Sequence, residues 1–525
     1  MAIASVVKKN HYQDSLKLMQ LSRKLSALPG IRKAAAIMAT EANLKMLREA
    51  GLIAEAPDGT NANDLIVAVD AESELKARGA IDMLDSLITP AGASRGGTAE
   101  AVKGLDFALN IFPGANIALI SVPGEYAKLE CSKAIEKGLH TFLFSDNVTV
   151  EEEIELKRRA SGRGLLVMGP GCGTAIINGT GLGFANVVNK GPIGVAAAAG
   201  TGMQEVTSLL SNWGSGITHA IGVGGRDLSG EVGGITTLDA LRILGGDNNT
   251  KVLLVVSKPP SKKVAEKILA AIGETGKPAV VCFLGHSMRT SGDEKIKLVS
   301  TLEEAAYSAL ALVNGSNKKY APAPGKDWKR QAGKYVRAQK RGQRYLRGIF
   351  SGGTLCYEAQ HILAQTLGDI YSNAPLDKKN RLKDSNVSVG NTCVDLGEEE
   401  FTVGRPHPMI DAALRSERIV SEAGKPDVAV ILFDVVLGYV ASPDPAGDLL
   451  PAIKAAKASA RKKGRSIAFV AHVCGTVSDP QGLRNQEAKL KKEGVMVFRT
   501  NALAARAAGF IAAGGREMEI DRGNK

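Results

Sequence analysis

The sequence predicts a multidomain α/β protein built on parallel sheets. Along most of the chain, short apolar runs typical of strands alternate with helical stretches, which is the spacing of parallel strands joined by crossover helices. The chain has 525 residues, and at about 100 to 200 residues per domain this length favours three or four domains. Its 59 glycines and its low aromatic content of 4% suit tight turns and close packing of helices on strands.

Residues 1–95 predict a small α/β domain. Strand-like runs at 3–7, 31–38 and 65–69 are separated by helical stretches. A glycine-rich segment at 91–97 then breaks the pattern and predicts a linker.

Residues 96–190 and 191–315 predict two further units with parallel strands. The first contains strand-like runs at 117–122, 141–144 and 165–168. The second contains four such runs, at 193–198, 219–223, 252–256 and 279–283. Because each run of the second unit is followed by a helical stretch, we expect a doubly wound sheet there.

A last unit, residues 348–525, repeats the alternation after a basic linker at 316–347. Eleven lysines and arginines and one acid lie between positions 318 and 347, so this segment carries ten of the twelve net positive charges. Its Pro/Gly-rich start and polar cationic end are typical of a solvated linker. Docking on an acidic partner subunit or a phosphate-rich ligand is the alternative, since no nucleic-acid-binding motif accompanies the charge.

Composition excludes several classes of protein. Apolar residues make up 44% and charged residues 23%, close to the averages for globular proteins. No apolar run approaches the roughly 20 residues that span a bilayer, and the first residues lack a secretory leader pattern. The six cysteines are isolated, so we expect neither a disulfide framework nor a metal site. We therefore expect a cytoplasmic protein that binds neither membranes nor nucleic acid.

An internal repeat is the most informative feature of the sequence. One strand runs into the turn Ala199-Gly200-Thr201-Gly202, and a later strand runs into Ser351-Gly352-Gly353-Thr354. At such turns the first helical N–H groups lack intrahelical partners, and the helix dipole adds about half a positive charge. Glycine lets an anion approach these donors. The predicted phosphate-binding residues are Gly200, Thr201, Gly202, Gly352, Gly353 and Thr354.

Two glutamates extend the match between the turns. Glu205 and Glu358 each follow the threonine of their turn by four residues, which places them one helical turn on and on the same face. We predict a catalytic role for both. A solvated position on the helix surface is the alternative.

Two further turns follow predicted strands, where open α/β sheets place their ligands. They contain Pro123 in the segment VPGE, and Gly169, Pro170 and Cys172 in the segment MGPGCG. These residues are candidates for a ligand site. Tight turns alone also explain the glycines and prolines.

Two segments supply cationic and titratable side chains. Arg226, in GGRD, can hold a phosphate or carboxylate bidentately, although pairing with Asp227 at the surface is the alternative. Arg405 and His407 lie in the proline-rich segment VGRPHPMID, whose stiffness suits positioning. His407 is a candidate acid, base or anion contact.

Several segments make the chain recognisable. The glycine turns, together with VPGEYAKLECSKAIEKG, MGPGCGTAI and GVGGRD, resemble the succinyl-CoA synthetase superfamily. The segments ISVPGEYA, GFANVV, GTGMQEV, GVGGRDLSGEVGGIT and VGRPHPMID are similar to the FdrA family, over nearly all of the chain. This resemblance implies a Rossmann-like CoA-binding-type domain at 96–190 and two flavodoxin-like domains at 191–315 and 348–525. It also implies an acyl or CoA site at Pro123, Gly169, Pro170 and Cys172, with CoA as a possible cofactor.

The resemblance to FdrA proteins implies a subunit of oxamate carbamoyltransferase, from purine and allantoin breakdown. That reaction interconverts oxalurate plus phosphate and oxamate plus carbamoyl phosphate, and it requires no nucleotide or other cofactor. Our hypothesis is that the two glycine turns hold the phosphate between their helix N-termini. Arg226 or Arg405 would neutralise the phosphate or the substrate carboxylate, with His407 as proton carrier. The expected partners are these small molecules and the other subunits of a hetero-oligomer.

Two alternatives stay open. The first is an acyl-CoA synthetase that forms a nucleoside diphosphate and borrows its nucleotide-binding domain from another subunit. Against it, His286 follows its strand at once, without the long loop that carries a relay histidine in synthetases, and Ala199 replaces the serine expected before the first turn. The second is a non-catalytic scaffold subunit that docks through the basic segment.

Overall fold

A computed structural model describes residues 2–11, 13, 15–26, 28–55, 59–88, 104–285, 293–316, 328–402 and 405–516. The chain divides into two compact units. One consists of residues 1–101 and 399–406, and the other of residues 102–398 and 407–525. None of the described helices has the length and apolar character needed to cross a bilayer.

The first unit contains a three-stranded antiparallel sheet. Its elements are β1 (Ala2–Lys8), α1 (Ser15–Ser26), β2 (Ile31–Met38), α2 (Glu41–Glu49), β3 (Leu65–Ala71), α3 (Glu74–Asp82) and α4 (Leu84–Ile88). β3 is the central strand, between β1 and β2. Its alternate side chains enter two cores, one with Leu21 and Leu25 of α1 and the other with Leu47 of α2. Because helices cover both faces of the sheet, the side chains of its central strand are nearly all apolar.

Residues 104–168 form a three-stranded parallel sheet. Its elements are α5 (Leu105–Ile111), β4 (Ile117–Ile120), α6 (Gly124–Glu136), β5 (His140–Leu143), α7 (Val150–Ser161) and β6 (Val167–Met168). The strand order is β4-β5-β6. Helix α7 begins with a capping box, in which Thr149 and Glu152 each accept the other's backbone N–H.

A seven-stranded sheet follows. Its elements are β7 (Thr174–Ile177), β8 (Thr180–Gly183), β9 (Lys190–Ala198), α8 (Gly200–Asn212), β10 (Ile217–Gly222), α9 (Ile235–Gly246), β11 (Val252–Ser257), α10 (Lys262–Thr275), β12 (Ala279–Phe283), β13 (Ile296–Val299) and α11 (Leu302–Val313). The order is β13-β12-β11-β9-β10-β7-β8, and β9 to β13 are parallel.

The hairpin β7-β8 departs from the predicted boundary at residue 190. It pairs antiparallel with β10 and thereby joins the seven-stranded sheet. Its turn is Asn178-Gly179, with both residues at positive φ, which is the conformation that favours Asn-Gly in two-residue hairpins. The prediction missed the hairpin because it considered only parallel strands with crossover helices.

The last sheet has six parallel strands. In chain order, the elements from residue 328 onward are α12 (Trp328–Ala338), β14 (Tyr345–Phe350), α13 (Gly353–Leu367), β15 (Ile370–Tyr371), β16 (Asn391–Asp395), α14 (Glu399–Thr402), α15 (Ala413–Gly424), β17 (Val428–Val436), α16 (Pro445–Lys462), β18 (Ala468–Cys474), α17 (Leu483–Lys492), β19 (Met496–Phe498) and α18 (Asn501–Ala512). Of these, α14 is assigned to the first unit. The order is β15-β16-β14-β17-β18-β19. One hydrophobic cluster combines side chains of this sheet's helices with those of α8 and α11, so the two large sheets share a core.

The basic segment is partly built into this last domain. The rings of Phe498 and Phe510 pack edge-on against Trp328 in α12, at centroid distances of 6.3 and 5.5 Å. Arg347 lies within β14, buried, with its Nε 2.9 Å from Glu422 Oε2. The described part, from residue 328, is therefore packed structure rather than a solvated linker, and the sheet begins at Tyr345 rather than at 348.

Candidate anion site at two facing helix ends

The two glycine turns of the repeat meet in the fold. The backbone N–H of Thr354 donates to Thr201 Oγ1 at 3.2 Å, which joins the start of α13 to the start of α8. A β-carbon at Gly202 would lie 2.8 Å from Thr354 Cγ2, and one at Gly352 would lie 2.8 Å from Thr201 Cγ2. Each threonine methyl therefore packs on a bare glycine of the opposite turn, which only glycine permits at this separation.

The N-terminus of α8 is open. Ala199 occupies the N-cap position without a capping side chain, and Gly200 is exposed. The first backbone hydrogen bond of the helix runs from Met203 N to Ala199 O, so the N–H groups of residues 200–202 precede it. Uncapped donors and the helix dipole together make this end suited to an anion.

The N-terminus of α13 is already occupied by a carboxylate of the chain itself. Asp434, at the end of β17, accepts the N–H groups of Ser351 and Gly352 at 2.8 Å each, and the Ser351 hydroxyl at 3.1 Å. The buried guanidinium of Arg415 lies 2.9 Å from Asp434 Oδ1. Gly352 therefore differs from the prediction, because its N–H serves Asp434 rather than an external phosphate.

A second buried carboxyl, Asp395, faces the same helix end. It terminates β16, and a β-carbon at Gly353 would overlap its Oδ2. Its Oδ1 accepts the N–H of Gly397 at 2.9 Å. Burial, followed by the nearby Glu398 carboxylate, raises the pKa of Asp395 to about 7. This carboxyl can therefore gain or lose a proton near neutral pH.

Lys258 supplies a cation close to Asp395. It directly follows β11, and its Nζ lies 3.9 Å from Glu398 Oε1 and 5.7 Å from the Tyr357 ring centroid. Its positive charge opposes the rise in the pKa of Asp395. The side chain is 41% exposed, so the ammonium group is open to solvent.

His407 contacts the same group of residues. Its ring lies 5.2 Å from the ring of Phe184, and its Nε2 would be 2.8 Å from a β-carbon at Gly397. The N–H of Met409 donates to His407 Nδ1 at 3.3 Å, so the ring proton of the neutral form is on Nε2. Burial, with the charge of Arg415, lowers the pKa of His407 to about 4. The ring is therefore a neutral donor near pH 7.

The two predicted arginines have other surroundings. Arg226 Nε lies 3.0 Å from Glu153 Oε2, and its Nη2 donates to Val148 O at 2.7 Å, so its charge is already paired. The alternative pairing with Asp227 is wrong, because that carboxylate binds the fully buried Lys157 at 2.7 Å. Arg405 is exposed and belongs to the unit formed with residues 1–101.

Asp227 and Lys157 belong to a buried ion network that the sequence did not predict. Lys157 Nζ also lies 2.7 Å from Glu153 Oε1 and donates to Val223 O. Asp227 accepts the N–H groups of Thr236 and Thr237 at the start of α9. The network ties α7 of the small parallel sheet to the seven-stranded sheet.

Glu205 and Glu358 are buried and reach across to cap helices of the opposite domain. Glu205 Oε1 accepts the N–H of Asn501, the first residue of α18, at 3.2 Å. Glu358 Oε1 accepts the N–H of Leu302, the first residue of α11, at 2.7 Å. Asn501 Nδ2 also donates to Glu358 Oε2 at 2.8 Å. The solvated alternative is therefore wrong for both glutamates, and their contacts join the two large domains.

The two glutamates differ in their electrostatic partners. His472 Nε2 lies 2.6 Å from Glu205 Oε2. Burial alone lowers the pKa of His472, but Glu205 outweighs it and the pKa lies above its usual value. For Glu358, burial raises the pKa to about 7.

The turns predicted to form an acyl or CoA site are tightly packed. Pro123 is exposed at the start of α6, whereas Cys172 is buried, and burial raises the pKa of its thiol to about 12. Gly169 has φ +128°, and a β-carbon there would overlap Leu143 O. The peptide bond from Gly169 to Pro170 is cis. His286, the histidine compared with the relay residue of synthetases, lies outside the described residues.

Sequence reasoning missed Asp395 and Lys258 as site residues. The strand that ends at Asp395 reads NTCVD, which lacks the continuous apolar run by which the other strands were found. Lys258 stands in SKPP directly after a predicted strand, a position that could have signalled a ligand contact.

Models of known families match three parts of the chain. A model described as AllF, heavy metal-associated domain, matches residues 1–103, a CoA binding domain model matches 188–285, and a CoA-ligase model matches 349–511. The CoA binding model thus falls on the seven-stranded sheet, C-terminal to the predicted CoA-binding-type domain at 96–190. Residues 1–103 contain no cysteine. The fold and these matches define a protein of the succinyl-CoA synthetase-like class.

Proteins with similar sequences identify the family to which the chain belongs. The alpha subunit of succinate–CoA ligase [ADP-forming] from Staphylococcus aureus (strain MSSA476) is 26% identical over 243 residues, 38% of this chain and 78% of that protein. YahF of Escherichia coli (strain K12), an uncharacterized protein, is 38% identical over 498 residues, 95% of this chain and 96% of that protein. The chain belongs to the family of YahF, which is the FdrA family predicted from the motifs.

Solved structures include distant neighbours. A dinucleotide-forming acetyl-coenzyme A synthetase from Ca. Korarchaeum cryptofilum, in complex with phosphate and ADP, has 17% identity and a TM-score of 0.28, covering 76% of this chain and 83% of that one. ATP citrate lyase from Methanothrix soehngenii has 13% identity and a TM-score of 0.33, covering 79% and 83%. The family assignment rests on the sequence relatives.

Proposed function

We propose that the chain is a subunit of a carbamoyltransferase that interconverts oxalurate plus phosphate and oxamate plus carbamoyl phosphate. The observation that supports this most is the uncapped start of α8, which faces the start of α13 beside two protonatable side chains, Asp395 and His407. Phosphorolysis of a ureido group needs a bound anion and proton transfer, and it needs no nucleotide.

The residues take the following roles in this proposal. The N–H groups of Gly200, Thr201 and Gly202 bind phosphate, with Gly353 and Thr354 lining the opposite side. His407, as a neutral Nε2–H donor, contacts the carbonyl oxygen under attack. Lys258, which is solvent-accessible, takes the substrate carboxylate that was assigned from the sequence to Arg226 or Arg405. Other subunits complete the enzyme.

A double variant tests the phosphate site. In the complex with its partner subunits, Thr201→Val with Thr354→Val removes both hydroxyls at the helix ends while keeping their shape. We expect phosphate-dependent turnover to be abolished. Thr207→Val is the matched control, because this threonine also lies on α8 but its hydroxyl donates to Met203 O in its own helix. Full activity of the double variant would contradict the assignment.

The competing function is that of an acyl-CoA synthetase with a separate nucleotide-binding subunit, and the CoA binding and CoA-ligase matches favour it. Thermal unfolding of the purified chain with carbamoyl phosphate or CoA separates the two. A ligand that binds only the folded state stabilises it by about 2.7 kcal/mol at a hundred times its dissociation constant. A shift with carbamoyl phosphate alone supports carbamoyl transfer, whereas a shift with CoA and an acid-labile phosphoprotein support the synthetase.

A further inference from the structure

We propose that Asp395 is the catalytic group that carries the transferred proton in the anion site, an inference that rests on the proposed function. Its Oδ2 faces Gly353 at the start of α13, while its Oδ1 is fixed by the N–H of Gly397. No hydrogen bond from the described residues reaches Oδ2. A buried carboxyl with one oxygen fixed and the other directed at the helix end is placed to exchange a proton with a bound anion.

The proposed reaction defines which group donates this proton and which group receives it. An oxygen of HPO₄²⁻ attacks the ureido carbon of oxalurate, and an O–C bond forms as the C–N bond to the oxamate nitrogen breaks. Asp395 accepts the phosphate proton and delivers it to the leaving nitrogen. Oxalurate and HPO₄²⁻ become oxamate and carbamoyl phosphate dianion, so atoms and charge balance without a further reactant.

Other titratable groups nearby are less suited to this role. Asp434 is held by Arg415 and three hydrogen bonds. Glu205 and Glu358 cap helices in the interior. His407 stays neutral near pH 7, and its Nδ1 is occupied. Burial raises the pKa of Asp395 to about 7, close to the value that makes a proton carrier efficient at neutral pH. The groups whose charges act on Asp395 come from several elements: Lys258 after β11, Glu398 after β16 and Asp434 on β17.

The first experiment measures phosphorolysis by the complex with its partner subunits as a function of pH. We expect Asp395→Asn to lower kcat/KM by about 10²- to 10⁴-fold and to remove the ionisation near pH 7 from the profile. Glu398→Gln should move that ionisation to lower pH, and Lys258→Met should move it to higher pH. Asp411→Asn is the matched control, because among the described residues this carboxylate accepts the N–H of Ala413, at the start of the next helix, and no other hydrogen bond. An unchanged pH profile in Asp395→Asn would overturn the proposal.

The second experiment uses sulfate, which stays doubly charged over this range of pH, as a probe that needs no turnover. Sulfate affinity of the wild-type chain, measured by calorimetry, should fall as the pH rises through the ionisation of Asp395, and in Asp395→Asn it should stay constant. The same fall in the variant would show that Asp395 does not face the anion. If the wild-type complex makes no carbamoyl phosphate, the proposed function is wrong, and the sulfate comparison still decides where Asp395 acts.

Discussion

The two copies of the strand–turn–helix repeat differ most in what surrounds their helix ends. In the second copy, Asp395 of β16 pairs with Phe350 of β14. On the other side of β14, Asp434 directly follows Phe433, the partner of Ile349 in β17. Phe350 corresponds to Ala197 in the first copy, whose partners are Gly222 and Val256. Two carboxyls thus stand where the first copy has a glycine and a valine. The start of α8 therefore lacks carboxyls at these neighbouring strand positions, whereas the start of α13 faces carboxyls of the chain itself.

Under the proposed function, this difference lets one repeated motif serve two purposes. The equivalent threonines make the two helix ends fit each other, because Thr354 packs on Gly202 and Thr201 packs on Gly352, although these two glycines do not occupy equivalent positions of the repeat. The flanking strands then determine the charge. In the proposed reaction, the first copy binds the anion and the second transfers the proton, and the difference in charge between the copies suits these two roles.

Removing Asp434, one of the two carboxyls that distinguish the second copy, should have the largest effect on stability. Asp434→Ala leaves the buried Arg415 guanidinium unpaired and uncaps Ser351 and Gly352, and we expect a loss of about 3–5 kcal/mol in the free energy of unfolding. Urea denaturation measures it. The double variant Asp434→Ala with Arg415→Met should lose less than the sum of the two single variants, because no unpaired charge stays buried. Strict additivity of the two substitutions would show that the ion pair is not the source of the effect.

Glu205 and Glu358, which each cap a helix of the opposite domain, should differ in how they make stability depend on pH. Glu358 has a pKa of about 7 when folded and binds more protons than the unfolded chain above pH 4.5, so its contribution makes stability fall as the pH rises from 4.5 to 7. Glu358→Gln should remove this slope, a change of about 2–4 kcal/mol across the window.

His472 should act in a different window. Its pKa is raised, so the stability it contributes through Glu205 is complete below pH 6.5 and is lost as the pH rises through the folded value. The stability difference between His472→Gln and wild type should therefore be constant below pH 6.5 and shrink as the pH rises above it, whereas the difference for Glu358→Gln should change between pH 4.5 and 7. Both are read from the free energy of unfolding between pH 4.5 and 9. Identical pH dependence of the two variants would contradict the assigned partners.

The features that could be predicted from the sequence are those encoded by residues close together in the chain. The turns at Gly200 and Gly353 were found because strand, glycines and helix are contiguous in sequence, and the repeat predicted that they act together. The cap of Ser351 by Asp434 was not found, since it joins residues far apart through strand register. The caps that Glu205 and Glu358 form on helices of the opposite domain likewise require both domains to be in place. Their i, i+4 spacing from threonine therefore did not indicate that they are buried.

The smallest expected effect on stability comes from substitutions at the contact between the two glycine turns. A β-carbon at Gly202 meets Thr354 Cγ2, so Gly202→Ala should cost about 1–3 kcal/mol, and adding Thr354→Ser should recover part of it. Gly352→Ala should be rescued less by Thr201→Ser, because Thr201 Cβ and Asp434 Oδ2 lie 3.0 Å from the new carbon, closer than the 3.2 Å of Ala199 Cβ and Val256 Cγ1 at Gly202. Gly246→Ala is the control, since nothing lies within 4 Å of a β-carbon there. Equal rescue at both turns would mean that Asp434 does not stiffen the second copy, and that the asymmetry is one of charge alone.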